Sequence, residues 1–169
     1  MAHPDGLFGW VDLAVPDTPA AAAFYGKVMG WEAEEVPAPG SMPYSFFVRD
    51  GKIAAGMGPL SEVQQAQGIP PVWTSYVAVD DIDAKVEKAA ELGAEVMMPA
   101  MDIMDAGRMA FLVDPTGAAF GLWQAGEHIG ADAFNDPGFL SWNELATRDV
   151  ETAVAFYTTL FDWDTDVSD

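Results

Sequence analysis

The first regular pattern runs through Gly9-Trp10-Val11-Asp12-Leu13-Ala14-Val15, where Val11, Leu13 and Val15 alternate with Trp10, Asp12 and Ala14. Period-two alternation predicts a strand over 7–15 with two unlike faces. Asp17 or Thr18 can cap a helix over 18–29, Pro19 suits its first turn, and Gly30 can close it in a left-handed conformation. Strands are predicted over 31–36, 44–49 and 53–57, with a turn or exposed loop at Pro37-Ala38-Pro39-Gly40 and a tight hairpin at Asp50-Gly51. The order is βαβββ.

After a polar connector over 59–71 the order returns. A strand at 73–79 precedes a helix over 82–92, capped by Asp80 or Asp81, with Ile82, Val86 and Ala89/Ala90 as its apolar stripe. A strand at 95–98, a loop over 99–107, and strands at 108–113 and 119–124 around Asp114-Pro115-Thr116-Gly117 complete the second module. Gly126 to Gly138 has no periodicity and reads as an interdomain linker.

A third copy then begins. Trp10/Trp142, Asp12/Glu144, Asp17/Asp149, Phe24/Phe156, Tyr25/Tyr157 and Trp31/Trp163 are all 132 positions apart, so the stretch is an internal repeat. The second module is a weaker copy, at an offset of 63 or 64. The expected division is a complete domain over 1–125, a linker over 126–138, and the first strand and helix of a truncated second domain over 139–169. Phe139, Leu140, Trp142, Phe156, Tyr157, Leu160 and Phe161 then need cover, on the first domain or by self-association with another chain.

Charge narrows the partners. Lys and Arg number 7 against 27 Asp and Glu, a formal charge of −20. Such a field repels nucleic-acid backbones and anionic membrane surfaces, so neither is an expected partner. No cysteine is present, which excludes disulfides, thiolate ligands and a cysteine nucleophile. No apolar run is long enough to span a bilayer and the first residues carry no secretory pattern, so a cytoplasmic protein is the expectation.

Two consecutive βαβββ modules, Leu13-x-Val15-x-Asp17 before the helix, Phe24-Tyr25 and Gly30-Trp31 in and after it, and Gly107-Arg108-Met109 followed by Asp114-Pro115-x-Gly117-x-x-Phe120 resemble the vicinal oxygen chelate superfamily. This is the fold of glyoxalase I, extradiol dioxygenases and bleomycin resistance proteins. The resemblance covers 7–124, and the tandem arrangement is similar to two-domain glyoxalase-like actinobacterial members. It implies an α+β fold in which paired modules form an open, barrel-like cleft, with helices on the convex side. Trp10, Asp12 and Ala14 then face the cavity, as do Thr74, Tyr76 and Ala78.

In metal-dependent members, ligands sit on the first and last strands of each module. The matching positions here are Trp10, Thr74, Ala55 or Gly56, and Gly121. None offers a usual ligand, and the two histidines, His3 and His128, are expected on the surface, so no metal and no other cofactor is expected. What remains is Trp10 and Asp12 two residues apart on one strand, an aromatic wall beside an anion, suited to an aromatic or cationic small molecule. Phe46, Thr74, Tyr76, Phe111 and Trp123 supply further cavity surface. Arg108 can pair with Asp12 across the cavity, receive an anionic ligand, or form a structural ion pair near the Asp114-Pro115 turn.

The expected function is metal-free binding of a small organic molecule, as in the resistance or sequestration branch. No residue is assigned as catalytic under that reading. The alternative is a lyase, isomerase or hydroxylase-like enzyme that uses Asp12 as base or carries its site in the missing second domain.

Overall fold

A computed structural model describes residues 1–37 and 43–166. Of the loop expected at 37–40, residues 38–40 lie outside the described residues, as do 167–169 of the expected second domain. The elements in chain order are β1 (Phe8–Val15), α1 (Thr18–Met29), β2 (Glu32–Val36), β3 (Tyr44–Arg49), β4 (Lys52–Pro59), α2 (Glu62–Ala66), β5 (Val72–Ala78), α3 (Ile82–Glu91), β6 (Glu95–Ile103), β7 (Gly107–Val113), β8 (Ala119–Ala125) and α4 (Val150–Phe161). Among the described residues no helix is long and apolar enough to cross a membrane.

Local chemistry sets the boundaries. Asp17 caps α1 by accepting from the Ala20 N–H, and Gly30 ends that helix at φ +69°. Asp81 caps α3 and Asp149 caps α4 in the same way, through the N–H groups of Ala84 and Thr152. Asp50 and Gly51 both take positive φ, the conformation a two-residue hairpin needs.

The chain forms two compact units. One holds Trp10–Thr74 with Gly130–Trp142; the other holds Met1–Gly9, Ser75–Ile129 and the chain from Asn143. The fold class is α+β, and each unit carries the same four-strand pattern. In the β1–β4 unit the strand order is β2-β3-β4-β1, antiparallel except that β1 runs parallel to β4. In the β5–β8 unit the order is β6-β7-β8-β5, again with only the closing pair, β5 and β8, parallel.

The core of the first unit is Leu13, Val15, Phe47, Ala55 and Met57, with Ala21, Ala22 and Tyr25 of α1 packed on it. The second unit buries Val77, Ile82, Ala89, Leu112 and Leu122, together with Phe156, Leu160 and Phe161 of α4. Each large apolar side chain withdrawn from water contributes about 1.5–3 kcal/mol before entropy is counted.

Three elements depart from the sequence reading. β6 continues from Met98 through Pro99 to Ile103, where a loop was expected. It is the terminal strand of its unit, where proline costs no ladder bond, and its register shifts absorb the irregularity. The connector 59–71 contains a helical turn, α2, closed by a reciprocal Ser61–Gln64 capping box. No strand forms at Trp142–Thr147, where the repeat predicts one. A strand requires a neighbour to pair with, and the nearest bridge joins Phe134 and Leu140.

The linker stretch is tied down. Asp132 accepts from the Ile53 N–H through its carboxylate and donates its own N–H to the Ile53 carbonyl, at 2.7 and 2.8 Å.

Candidate ligand site

The two faces of β1 are divided as the alternation demands. Leu13 and Val15 enter the core, leaving Trp10, Asp12 and Ala14 on the opposite face. Strand register then sets a row across the β1–β4 unit: Asp12 pairs with Gly56, Gly56 with Phe46, and Phe46 with Glu34. Tyr44, two residues before Phe46, shares that face. Its hydroxyl donates to Asp12 Oδ2 at 3.3 Å.

Rings surround this bond. Phe46 meets Trp10 edge-on at 5.9 Å between centroids, and Tyr44 edge-on at 6.0 Å. Trp10 is buried at 4% exposure, while Asp12, Tyr44 and Phe46 are half-buried. Gly56 is required here. A Cβ on it would overlap the Tyr44 hydroxyl and lie 2.8 Å from the Trp10 ring. The arrangement gives three aromatic rings and one carboxylate, suited chemically to holding a flat or positively charged group.

The β5–β8 unit has the corresponding row, Tyr76–Gly121–Phe111–Met98. The Tyr76 ring lies over Gly121, where a Cβ would collide with it. Tyr76 and Trp123 are buried and Phe111 is half-buried. Trp123 donates its indole N–H to the His128 carbonyl at 2.9 Å. Thr74 is buried at 8% exposure. A small cleft of about 110 Å³ lies between His3 and the Trp123–Gln124 end of β8. His3 and His128, expected on the surface, are both half-buried, and His128 packs edge-on to Trp123.

Arg108 requires a correction. It shares the parity of Ala110 and Leu112, which are fully buried in the core beside α3, so it projects on the helix-covered face. There its guanidinium grips both carboxylate oxygens of Asp83, at 2.6 and 3.1 Å, and reaches Asp102 at 3.1 Å. The bonds to Asp83 raise the Arg108 pKa and hold the Asp83 carboxyl below its usual range. Arg108 thus closes an ion pair beside α3 in its own unit, the structural alternative to a ligand contact.

Tyr44 was missed in the sequence. The available signal was Ala54-Ala55-Gly56-Met57-Gly58 in β4: glycines inside a strand mark a close approach by another group, here the Tyr44 ring, which lies over both.

The register also decides between Ala55 and Gly56. Ala55 is buried in the core, and Gly56 occupies the row position that Gly121 holds in the other unit. The four positions at which the resemblance implies metal ligands therefore hold Trp10, Gly56, Thr74 and Gly121. Aromatic rings lie over both glycines, and one hydroxyl among the four positions does not fit a divalent cation. Among the described residues no group of three or more His, Cys, Asp or Glu is placed to hold a metal ion.

Two βαβββ units with these paired rows define the class of protein. The chain belongs to the Glyoxalase/Bleomycin resistance protein/Dioxygenase superfamily, whose family model matches residues 7–122. Among its relatives, CFP32 of Mycobacterium tuberculosis, which bears the name "Putative glyoxylase", is 48% identical over 156 residues, 92% of this chain and 59% of that protein. The anthracycline biosynthesis protein DauV of a Streptomyces species is 38% identical over 162 residues, covering 90% of this chain and 59% of DauV. The chain thus spans about three-fifths of the length of these relatives. A solved mutant of 4-hydroxymandelate synthase from Streptomyces coelicolor shares the fold at TM-score 0.65 and 16% identity, over 99% of this chain and 55% of that one.

Proposed function

We propose that the chain is a cytosolic binder of a small organic molecule, aromatic or cationic, and that it binds without a resident metal. The observation that carries this reading is the Asp12 carboxylate, held by the Tyr44 hydroxyl among the rings of Trp10, Tyr44 and Phe46. Rings provide stacking and cation–π surface, and the carboxylate provides the counter-charge. The donor set at the strand positions, one threonine hydroxyl beside an indole and two glycines, supports the metal-free part. Thr74 is proposed as further lining within the same unit, and Tyr76, Phe111 and Trp123 as the corresponding ligand surface of the β5–β8 unit; Arg108 is left out because its partners are Asp83 and Asp102.

The test is a calorimetric titration with an anthracycline glycoside, which joins a flat polycycle to an ammonium group. The 38% identical relative named for anthracycline biosynthesis makes this a chemically reasonable probe. Saturable binding is expected, weakened about tenfold or more in Asp12→Asn, which removes the charge and keeps the shape. Equal affinity in wild type and variant, or no binding of any flat cation in a panel, contradicts the reading.

One observation favours a second reading. The Tyr44–Asp12 bond joins a proton donor to a proton acceptor on one face, an arrangement from which Asp12 can act as base in a lyase, isomerase or hydroxylase-like reaction. Turnover of a bound compound that stops in Asp12→Asn, while the compound still binds, supports this second reading over the first.

A further inference from the structure

α1 is apolar nearly all round: of Thr18–Met29, only Lys27 carries a charge. Ala21, Ala22 and Tyr25 pack on the β1–β4 core. On another side of the helix Phe24 is 57% and Val28 is 61% exposed. α3 is built differently, with Asp83, Lys85, Glu87, Lys88 and Glu91 around a narrow apolar stripe. A surface helix has the α3 pattern; a helix apolar on all sides is normally covered on all sides.

The internal repeat shows what covers the equivalent side of its other copy, α4. At the offset of 132, Phe24 corresponds to Phe156 and Val28 to Leu160. Those two are 3% and 1% exposed, seated in the β5–β8 core with Ile82, Ala89 and Phe120. Lys85 and Lys88 of α3 reach the Leu160 carbonyl at 3.5 and 3.4 Å. A second observation is independent. Trp163 donates to the Gly6 carbonyl at 3.0 Å, and Trp31 donates to the Gly138 carbonyl at 2.8 Å. Gly6 and Gly138 are themselves 132 apart, at φ +83° and +87°. Each repeat gives its tryptophan to the glycine that opens the other. A bond given and returned marks self-complementary pairing of like parts.

We propose that the outer face of α1, around Phe24 and Val28, is a docking surface for a further βαβββ module of the β5–β8 kind. That module supplies an apolar floor for the two side chains and a lysine where the Val28 carbonyl emerges. The relatives are longer than the stretch they share with this chain, which leaves room for such a module within one polypeptide. A second copy is a poor occupant. Its own α4 already fills the equivalent seat, and a net charge of −20 on each molecule opposes association.

The test places Phe24→Lys with Val28→Lys in this chain, and lysines at the aligned positions of the intact mycobacterial relative. In this chain, where the face is open, the melting temperature is expected to move by about 2 °C or less. In the longer protein it is expected to fall by about 6 °C or more. If that variant does not fold, alanine at the position aligned with Val28 gives the same contrast on a smaller scale. Equal small shifts in both proteins overturn the proposal, and so does an equally large loss in this chain. Sedimentation of this chain is expected to show a monomer. A dimer abolished by the substitutions would put a second copy on the face and overturn the assignment.

Discussion

α1 and α4 are two copies of one sequence unit in different surroundings: both pack the side that carries Ala21/Ala153 and Tyr25/Tyr157, and α4 also covers the side that α1 leaves open. α1 turns Ala21, Ala22 and Tyr25 to its own sheet and leaves Phe24 and Val28 outward. α4 turns Phe156 and Leu160 to the β5–β8 core and leaves Val150 and Val154, at 62% and 40% exposure, outward. Inside each copy the same stack persists: Tyr25 on Trp31 at 5.8 Å and Tyr157 on Trp163 at 5.9 Å. The repeat therefore specifies a helix with two adjoining apolar sides and an aromatic clasp, and context decides whether one side or both are covered. A sequence pattern identifies apolar sides; the number of neighbours determines how many of them are buried.

The comparison is most easily broken at the paired phenylalanines. Phe156→Ala empties a buried position and is expected to cost about 3–5 kcal/mol of unfolding free energy in denaturant titration. Phe24→Ala, on the open side of α1, is expected to stay within about 0.5 kcal/mol. Equal costs would mean that the two helices are covered alike.

The tyrosines sharpen it. Tyr157 donates to Asp114, a buried carboxylate that also accepts from Thr116 and the Ala118 N–H. Burial acts to raise the Asp114 pKa, but these bonds outweigh it and hold the carboxyl below its usual range. Burial and the Asp114 carboxylate together push the Tyr157 hydroxyl well above a normal phenol. The signs follow from linkage. The Asp114 contribution is complete above about pH 4 and is lost as pH falls; the Tyr157 contribution is complete below about pH 10 and is lost as pH rises. Tyr157→Phe is expected to cost about 1.5–3 kcal/mol and to flatten the alkaline limb of the stability profile. Tyr25→Phe removes a hydroxyl that accepts from the exposed Trp73 at 2.9 Å and is expected to cost no more than about 1 kcal/mol.

The smallest expected effect is one of equality. Trp31→Phe and Trp163→Phe each remove one indole bond to a glycine carbonyl, and each is expected to cost about 1–2 kcal/mol. A large difference between them in thermal or denaturant unfolding would show that the exchanged bonds are not equivalent.

Much of this fold was legible in the residues. The caps Asp17 and Asp81, the Asp50-Gly51 hairpin and the alternation of Leu13 and Val15 with Trp10 and Asp12 act through neighbours close in the chain. What sequence could not supply was lateral register. Asp12 meets Tyr44 only because both lie across Gly56, a pairing fixed by residues 44 positions apart in the chain. Arg108 was assigned to the cavity by its chemistry, although its parity with Ala110 and Leu112 placed it on the helix side. Pro99 read as a loop because its cost depends on whether the strand has a neighbour on that edge, which the chain itself does not state.

The central claim is that the strand positions at which the resemblance implies metal ligands hold an indole, one hydroxyl and two ring-covered glycines, and bind no metal. The most direct measurement is metal content of the purified protein, before and after incubation with nickel, zinc, iron or manganese salts and desalting. The account predicts retention below about a tenth of an equivalent for every metal, with anthracycline binding unchanged by chelator. A stoichiometric metal that survives desalting and is lost in Asp12→Asn would contradict it, and would make Asp12 a ligand whose partners the present row of residues does not supply.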